Sequence, residues 1–410
     1  MAKPKNRRKK AQVQATGGYK KFINDMMNFI NSYQKNDHPP FSNSEKRRIY
    51  ESRLQLRRPD AANVLISVKE LNKIFLYIKA MHRKPKILIQ NKNISTHEIL
   101  LFYSYMNALA RRCAKEWGEG HIEYTSLKHG CDELFSTFTK HYILDIFAVV
   151  TRMSNPTHKY YGITFRTANF VKDDLRFEMV STASGIPAQK RHINFNGRYR
   201  PSYRLGKATA TEGFEWIQLE KEDLPQIMRK DYQFYSLYMQ AHAINRMTER
   251  LDLLDRESIN YTIWQCTASN TNFITYKHLI LLPVNVHQIR IGYFVIDMVD
   301  DMLIIKTFLF ITHNCTPEGD QLKELSGLGK RDISYWKIDR LSTFVNLDEK
   351  KHPELLQLFT NAGMKNLAQL KEKKFDIESI QTANLDHLKQ YIENSKQYQR
   401  AKEEEVTIHV

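Results

Sequence analysis

The sequence is poor in the residue types that mark several protein classes. Its 410 residues include only 4 cysteines, 15 glycines and 12 prolines. The low glycine and proline contents exclude collagen-like and low-complexity chains. The cysteines have no C-x-x-C spacing, which argues against a disulfide scaffold or a zinc site of the usual spacing and favours a reducing compartment. They are Cys113, Cys131, Cys266 and Cys315.

Long apolar runs and secretion signals are also missing. No run reaches the roughly 18 residues that a membrane-spanning helix needs, so we expect no membrane partner. The first ten residues, MAKPKNRRKK, lack the apolar core of a secretory signal, and we expect a cytoplasmic protein. Residues 1–17 are typical of a disordered basic arm, whose basic decamer is a solvated tail, a nuclear signal or a nucleic-acid contact. The motifs of nucleotide-binding loops, serine hydrolases and zinc proteases are absent, and we expect neither cofactor nor metal.

Positive charge is in excess, and it is concentrated in the first part of the chain. The first 240 residues contain 41 basic and 22 acidic groups, a net charge of +19. The remaining residues contain 21 basic and 23 acidic groups, a net charge of −2. This asymmetry predicts a polyanion as the partner of the first part.

The densest basic segment is the acid-free stretch between Glu178 and Glu212. Asn196-Gly197 at its centre predicts a two-residue hairpin turn, because both turn positions need φ > 0. The arms, Arg191–Phe195 and Arg198–Leu205, would project alternating cations and rings. Cations neutralise phosphates and rings stack on bases, so the hairpin is a candidate surface for RNA or single strands; a solvated hairpin with its rings in the core is the alternative. The candidate binding residues are Lys190, Arg191, Arg198, Tyr199, Arg200, Tyr203, Arg204 and Lys207.

Hydrophobic periodicity predicts an α+β fold. Helical periodicity dominates up to residue 153, and strand patterns follow between residues 160 and 219. A second unit begins with a predicted helix over Asp231–Leu254. It continues with a strand at Phe273–Leu282 and a hairpin formed by His287–Met298 and Met302–His313. We therefore expect a helical N-terminal part with a small antiparallel sheet, then a helix packed on an antiparallel sheet, then a helical tail.

The same patterns predict the domain organisation. After the arm at residues 1–17, a basic helical and mixed α+β domain covers residues 18–225. A helix-plus-antiparallel-sheet domain covers residues 226–345, and the helical tail covers residues 346–410.

One helical segment, 241–251 (AHAINRMTERL), combines residue types that suit phosphodiester chemistry. At 100° per residue, its polar residues fall within about 100° of one another, opposite an apolar stripe. An imidazole accepts a 2′-hydroxyl proton near neutral pH, and guanidinium groups stabilise a pentacovalent phosphate without a metal. On residue types alone, a solvated polar face is the commoner reason for such a pattern. The residues of this face are His242, Arg246, Glu249 and Arg250.

The pattern His-Ala-x-x-Arg-Met-x-Glu-Arg on this helix resembles the opening helix of a family of small toxin-like domains from bacterial mobile elements. Those domains have the barnase–RelE-type fold of metal-independent RNases, in which a helix packs on a twisted antiparallel sheet. The resemblance covers residues 241–312. It implies a strand with an internal glycine at Arg290–Phe294, a turn at Asp300-Asp301 and a last strand at Ile304–Phe308 that carries Thr307.

The resemblance also implies roles for individual side chains. His242 would be the general base or a phosphate contact, and Arg246 and Arg250 would bind the scissile phosphate. Thr307 would lie at the substrate side of the last strand. The general acid stays open between Lys306, His313 and His287.

Charge and motif together predict a nucleic-acid-interacting protein, with RNA favoured over DNA as the partner. The predicted activity is that of a metal-independent endoribonuclease of toxin or defence type. The alternatives are a non-catalytic RNA- or DNA-binding protein of phage or mobile-element origin, and a basic structural or interaction protein. An inhibitor protein stays open as a further partner.

Overall fold

The structure, a computed structural model, describes residues 19–29, 41–51, 57–89, 92–167, 179–195, 197–209, 212–268 and 272–372. These residues confirm a mixed α+β fold. They fall into two compact units whose segments alternate along the chain. The first unit draws on Met1–Val150, Gly162–Gly185 and Thr209–Gly213, and the second on Thr151–Tyr161, Ile186–Ala208 and Phe214–Val410. The predicted domain bounds stay predictions, and the predicted arm at residues 1–17 lies outside the described residues.

The chain up to residue 153 is mostly helical, as its periodicity predicts. Ser95 begins the fourth helix with a capping box: its hydroxyl accepts a hydrogen bond from the Glu98 amide, and the Glu98 carboxylate accepts one from the Ser95 amide. The elements are α1 (residues 19–29), α2 (Asn43–Glu51), β1 (Asp60–Ala61), α3 (Val68–His82), β2 (Ile87–Ile89), β3 (Lys92–Ile94), α4 (Thr96–Trp117), α5 (Ile122–Met153), β4 (Lys159–Thr167) and β5 (Met179–Pro187). Strand β1 pairs with β5 in a sheet of order β1-β5-β4, and β2 pairs with β3.

The rest of the described chain alternates strands and helices. Its strands are β6 (Lys190–Phe195), β7 (Arg198–Arg204), β8 (Gly206–Lys207), β9 (Glu215–Trp216), β10 (Gln218–Glu220), β11 (Phe234–Gln240), β12 (Ile274–Tyr276), β13 (Leu279–Val286), β14 (Ile289–Val299) and β15 (Met302–Phe310). Its α-helices are α6 (Ala241–Arg250), α7 (Arg256–Ala268), α8 (Pro317–Ser326), α9 (Lys330–Tyr335), α10 (Leu341–Val345) and α11 (Pro353–Phe359). Short 3-10 turns at Lys221–Asp223 and Gln226–Met228, a π-turn at Thr360–Met364 and a 3-10 helix at Lys365–Glu372 complete it.

An eight-stranded sheet forms the centre of the second unit. Its order is β12-β13-β14-β15-β11-β7-β6, with β10 also paired to β11. Strands β11 and β15 run parallel, and the other neighbours are antiparallel. One face, here called the helix face, carries Leu237, Met239 and Ile305 in a large core that includes Met247 of α6. The opposite face, here called the second face, carries Tyr238 and Ile304.

The predicted helix over Asp231–Leu254 is wrong in its first half. Residues Phe234–Gln240 form β11, and the helix begins only at Ala241. The segment lies between β15 and β7 with apolar side chains buried on both faces, and burial of this kind overrides local helical periodicity. The segment after it, Arg256–Ala268, is a helix that the sequence pattern missed.

The two predicted hairpins are confirmed. The β6–β7 hairpin has Phe195 paired with Arg198, and Gly197 has a φ of +80°. The β14–β15 hairpin forms where predicted. Thr316 caps α8, which ends at Gly327 in the left-handed region. The predicted tail is helical in its described part, up to residue 372, and the remainder lies outside the described residues.

Candidate functional site

The register of the central sheet leaves a notch at the end of β11. The last pair with β15 is Met239–Ile305, and the last pair with β7 is Gln240–Ser202. Both neighbours continue past these pairs. Strand β15 stays paired with β14 as far as Phe310, and β7 stays paired with β6 as far back as Arg198. Where β11 lies between them, the axes of β7 and β15 are two strand spacings apart, about 10 Å. Helix α6 begins at this gap, which we call the β11 notch.

Arg200 and Thr307 stand on the two sides of the β11 notch. Arg200 is paired with Ile193, a member of the second-face cluster, and Thr307 is paired with Val295, another second-face residue. Residues opposite each other in an antiparallel pair share a face, so both side chains lie on the second face. Thr307 is half-buried next to Lys306, the extra residue of a β-bulge.

His242 is exposed in the first turn of α6, at the notch. Partial burial lowers the pKa of its imidazole, and repulsion from Arg246, Arg200 and Arg250 lowers this pKa further, while Glu249 opposes the shift. The imidazole is therefore neutral at pH 7 and able to accept a proton. The charge of Arg200, in the basic hairpin, thus acts on His242 of α6. No sequence pattern predicted that these two segments lie close together.

Arg246 follows one turn after His242. Its guanidinium donates a hydrogen bond of 2.7 Å to the Glu249 carboxylate, and Arg340 approaches the same carboxylate at 3.3 Å. The side chains of Arg246 and Glu249 are 43% and 44% exposed. An exposed ion pair of this kind contributes at most about 1 kcal/mol, so an anion in solution competes for Arg246 at little cost.

Arg250 is not on the exposed face of α6, and this prediction is wrong. The residue is only 7% exposed; its Nη1 donates a 2.6 Å hydrogen bond to the Phe308 carbonyl, and its Nε lies 3.5 Å from the Asp339 carboxylate. The helical projection places Arg250 beside the stripe of Ala243 and Met247, and packing of α6 on β15 covers that boundary. Arg250 therefore anchors the helix, and only its charge reaches His242.

The arginines of the β6–β7 hairpin share the second face. The exposed Arg191 lies over the Tyr238 ring, 5.8 Å from its centre, and covers it as long basic side chains do. Arg198 is paired with Phe195, on the same face as Arg200. The alternation along the hairpin thus places its arginines on the second face and its tyrosines on the opposite face, where Tyr199 is exposed.

Three other predicted hairpin residues are engaged by their surroundings. Arg204 stacks on Trp216 at 5.4 Å and donates to the Ser236 hydroxyl at 3.2 Å. Lys207 pairs with Glu215 at 2.9 Å. Tyr203 is half-buried opposite Met239. The exposed cations of the hairpin are Lys190, Arg191, Arg198 and Arg200.

The candidates for a general acid lie in three different places. Lys306 is on the second face, paired with Asp297 at 2.9 Å. His313 follows β15 and is half-buried; burial and the charges of Arg250, Lys330 and Arg246 lower its pKa, while a hydrogen bond to Asn314 opposes the shift. His287 is in the β13–β14 turn, with a φ of +51°, at the far end of β14 from the turn into β15. The fold therefore brings Lys306 to the notch side and His313 to the α6 arginines.

Gln240 is a residue at the notch that sequence reasoning missed. It is 1% exposed, and neither atom of its side-chain amide has a hydrogen-bond partner in the described part of the chain. Nothing in the local pattern marks it, because its burial depends on strands that are distant in sequence.

Comparison with protein-family models, with curated proteins and with solved structures gives no match. Within the described ranges, none of the helices combines the length and the hydropathy that a membrane crossing needs.

Proposed function

We propose that this protein binds RNA through the basic β6–β7 hairpin and cleaves it at His242 without a metal. The observation that carries the proposal is the register at the β11 notch, which sets Arg200 of the hairpin beside the first turn of α6. The RNA-binding arginines and the catalytic histidine then lie together at the end of β11. The region from 241 to 344 has 11 basic and 12 acidic groups and is not basic by itself, so the hairpin supplies the positive charge that binds RNA.

The chemistry follows from the protonation state of His242. Its neutral imidazole accepts the proton of a 2′-hydroxyl, whose oxygen then attacks the adjacent phosphorus. The bond from phosphorus to the 5′-oxygen breaks, giving a 2′,3′-cyclic phosphate and a 5′-hydroxyl end. Arg200 and Arg246 stabilise the negative charge on the pentacovalent phosphate. The leaving oxygen takes its proton from Lys306, the candidate acid on the notch side. Burial lowers the pKa of His313, so its neutral ring is a weak proton donor.

The test is cleavage of a mixed RNA pool in EDTA by the wild type, by His242→Ala and by His278→Ala. His278 is an exposed histidine of the β12–β13 turn and serves as the matched control. Loss of the general base is expected to slow cleavage by about 10²–10⁴-fold, whereas His278→Ala cleaves like the wild type. Products should carry cyclic phosphate ends. Absence of cleavage by the wild type, or equal cleavage by His242→Ala, would rule out the nuclease.

A second candidate, a non-catalytic RNA-binding protein, is favoured by one observation. Arg250 is occupied by Phe308 and Asp339, so α6 offers a single accessible guanidinium to a phosphate. This candidate predicts binding that survives His242→Ala and weakens steeply with salt. In fluorescence anisotropy, Arg198→Gln and Arg200→Gln together should lower the salt dependence by about two counterions. Unchanged affinity in this double variant would contradict both candidates.

A further inference from the structure

The Gln240 side chain is the least satisfied polar group at the β11 notch. Both its Nε2 and its Oε1 are buried without a partner among the described residues. An unpaired buried polar group costs about 1–3 kcal/mol, and folded proteins rarely keep one without a reason. A ligand that enters the notch and pairs with the amide would supply that reason.

The position of Gln240 points to the kind of ligand. Gln240 is the residue that precedes α6, yet its side chain makes no capping hydrogen bond to the helix. The amides of the first turn have no acceptor within the helix itself, and they carry the positive end of the helix dipole. Helix α6 is ten residues long, and its first turn lies at the notch.

Positive charges outnumber the negative charge of Glu249 around His242 at the notch. Arg200 stands on one side, Arg246 on the helix, and Arg250 below it, and all three act on His242. On the other side Thr307 provides a hydroxyl from β15. Amide donors, guanidinium groups and a hydroxyl are the groups that bind a tetrahedral oxyanion.

We propose that the β11 notch is a phosphate-binding site in which Gln240 Nε2 and the first-turn amides of α6 hold the phosphate oxygens beside Arg200. Gln240 Oε1 accepts from a hydroxyl of the ligand, either a protonated phosphate or a 2′-hydroxyl. The inference rests on the proposed function only in naming RNA as the molecule that carries this phosphate.

The experiment uses inorganic phosphate as the probe and the full chain with isotope-labelled histidines. A bound anion stabilises the imidazolium, so phosphate is expected to raise the pKa of His242 measured by NMR. The ring signals of His278, in the β12–β13 turn, should not respond to phosphate. Calorimetry gives the phosphate affinity of the same samples. Gln240→Met, which keeps length but removes the amide, is expected to weaken phosphate binding about tenfold or more, as loss of a hydrogen bond to a charged group does. Gln218→Met, at an exposed glutamine of β10, is the control.

The melting temperature separates this role from a structural one. Because Gln240→Met removes two unpaired polar atoms from the interior, it should leave the melting temperature unchanged or raise it. If Gln240→Met does not fold, Gln240→Glu keeps the shape and repels phosphate instead. The inference is overturned if phosphate leaves the His242 pKa unchanged, or if the variant that folds binds phosphate like the wild type. Phosphate binding without RNA cleavage would reject the nuclease and keep the site.

Discussion

Replacing Arg250 by methionine is the sharpest test of the arrangement around α6. The guanidinium is 7% exposed, donates to the Phe308 carbonyl at 2.6 Å and lies 3.5 Å from Asp339, which is 8% exposed. Methionine has a similar length but leaves a buried carboxylate without its main partner. Breaking a buried pair from one side costs about 3–5 kcal/mol, which already includes the lost hydrogen bond to the carbonyl.

The loss of stability should depend on pH. Burial raises the pKa of Asp339, and Arg250 and Arg340 counteract this. Without Arg250 the pKa of Asp339 rises further, so the folded chain holds a proton that the unfolded chain releases near its ordinary pKa of 3.8. Stability then falls as the pH rises from that value through the raised pKa. The destabilisation is therefore smaller at pH 4 than at pH 7.

Urea unfolding of the wild type, Arg250→Met and the double variant Arg250→Met/Asp339→Asn measures both effects. The double variant should recover a large part of the loss, because the amide removes the uncompensated charge. If Arg250→Met costs less than about 1 kcal/mol at both pH values, then Arg250 does not anchor the helix. It would then be free to bind phosphate, as its place in the sequence motif predicts.

Three other changes test separate parts of the fold. Gly292→Ala should cost about 1–3 kcal/mol in urea unfolding, because a Cβ there meets the Leu309 carbonyl and the Phe308 ring, whereas Gly120→Ala, with open space, should change little. Burial, with Lys86 and His97, lowers the pKa of His82 to about 3 despite Asp145 at 3.8 Å, so stability is lost as the pH falls from about 6.5 towards 3. His82→Phe, which keeps the ring stacked on Tyr142, should flatten the melting temperature over that window; an unchanged slope would assign the acid loss elsewhere. Ser95→Ala should lower the free energy of unfolding by about 1 kcal/mol through the lost cap, and an equal midpoint would contradict this.

Cap and turn chemistry explains which elements the sequence could predict. Ser95 with Glu98, Thr316 before Pro317, and Gly197 in the hairpin act through groups within four residues, so they are visible in the sequence itself. Strand β11 shows the opposite situation. Its residues have an ambiguous pattern, and only the space between β15 and β7 makes them a strand.

The residues of the candidate site also divide into those that the sequence predicts and those that it misplaces or misses. The sequence places His242 and Arg246 on one helix face, and the periodicity of a helix suffices for that. It misplaces Arg250, because the edge of a helix face is buried or exposed according to what packs against it, here β15 and Asp339. It gives no sign of Gln240, whose burial depends on both neighbouring strands.

The charge asymmetry, the hairpin turn and the mixed α+β class can be predicted from the sequence, because each depends on composition or on residues close together in the chain. The point where β11 ends, short of the ends of β7 and β15, depends on the tertiary structure. That register sets Arg200 and Thr307 on either side of the β11 notch, about 40 and 65 residues from the first turn of α6. Pairing between strands that are distant in sequence fixes this register. The burial of whole sheet faces determines such pairing, and no short segment of the sequence encodes it.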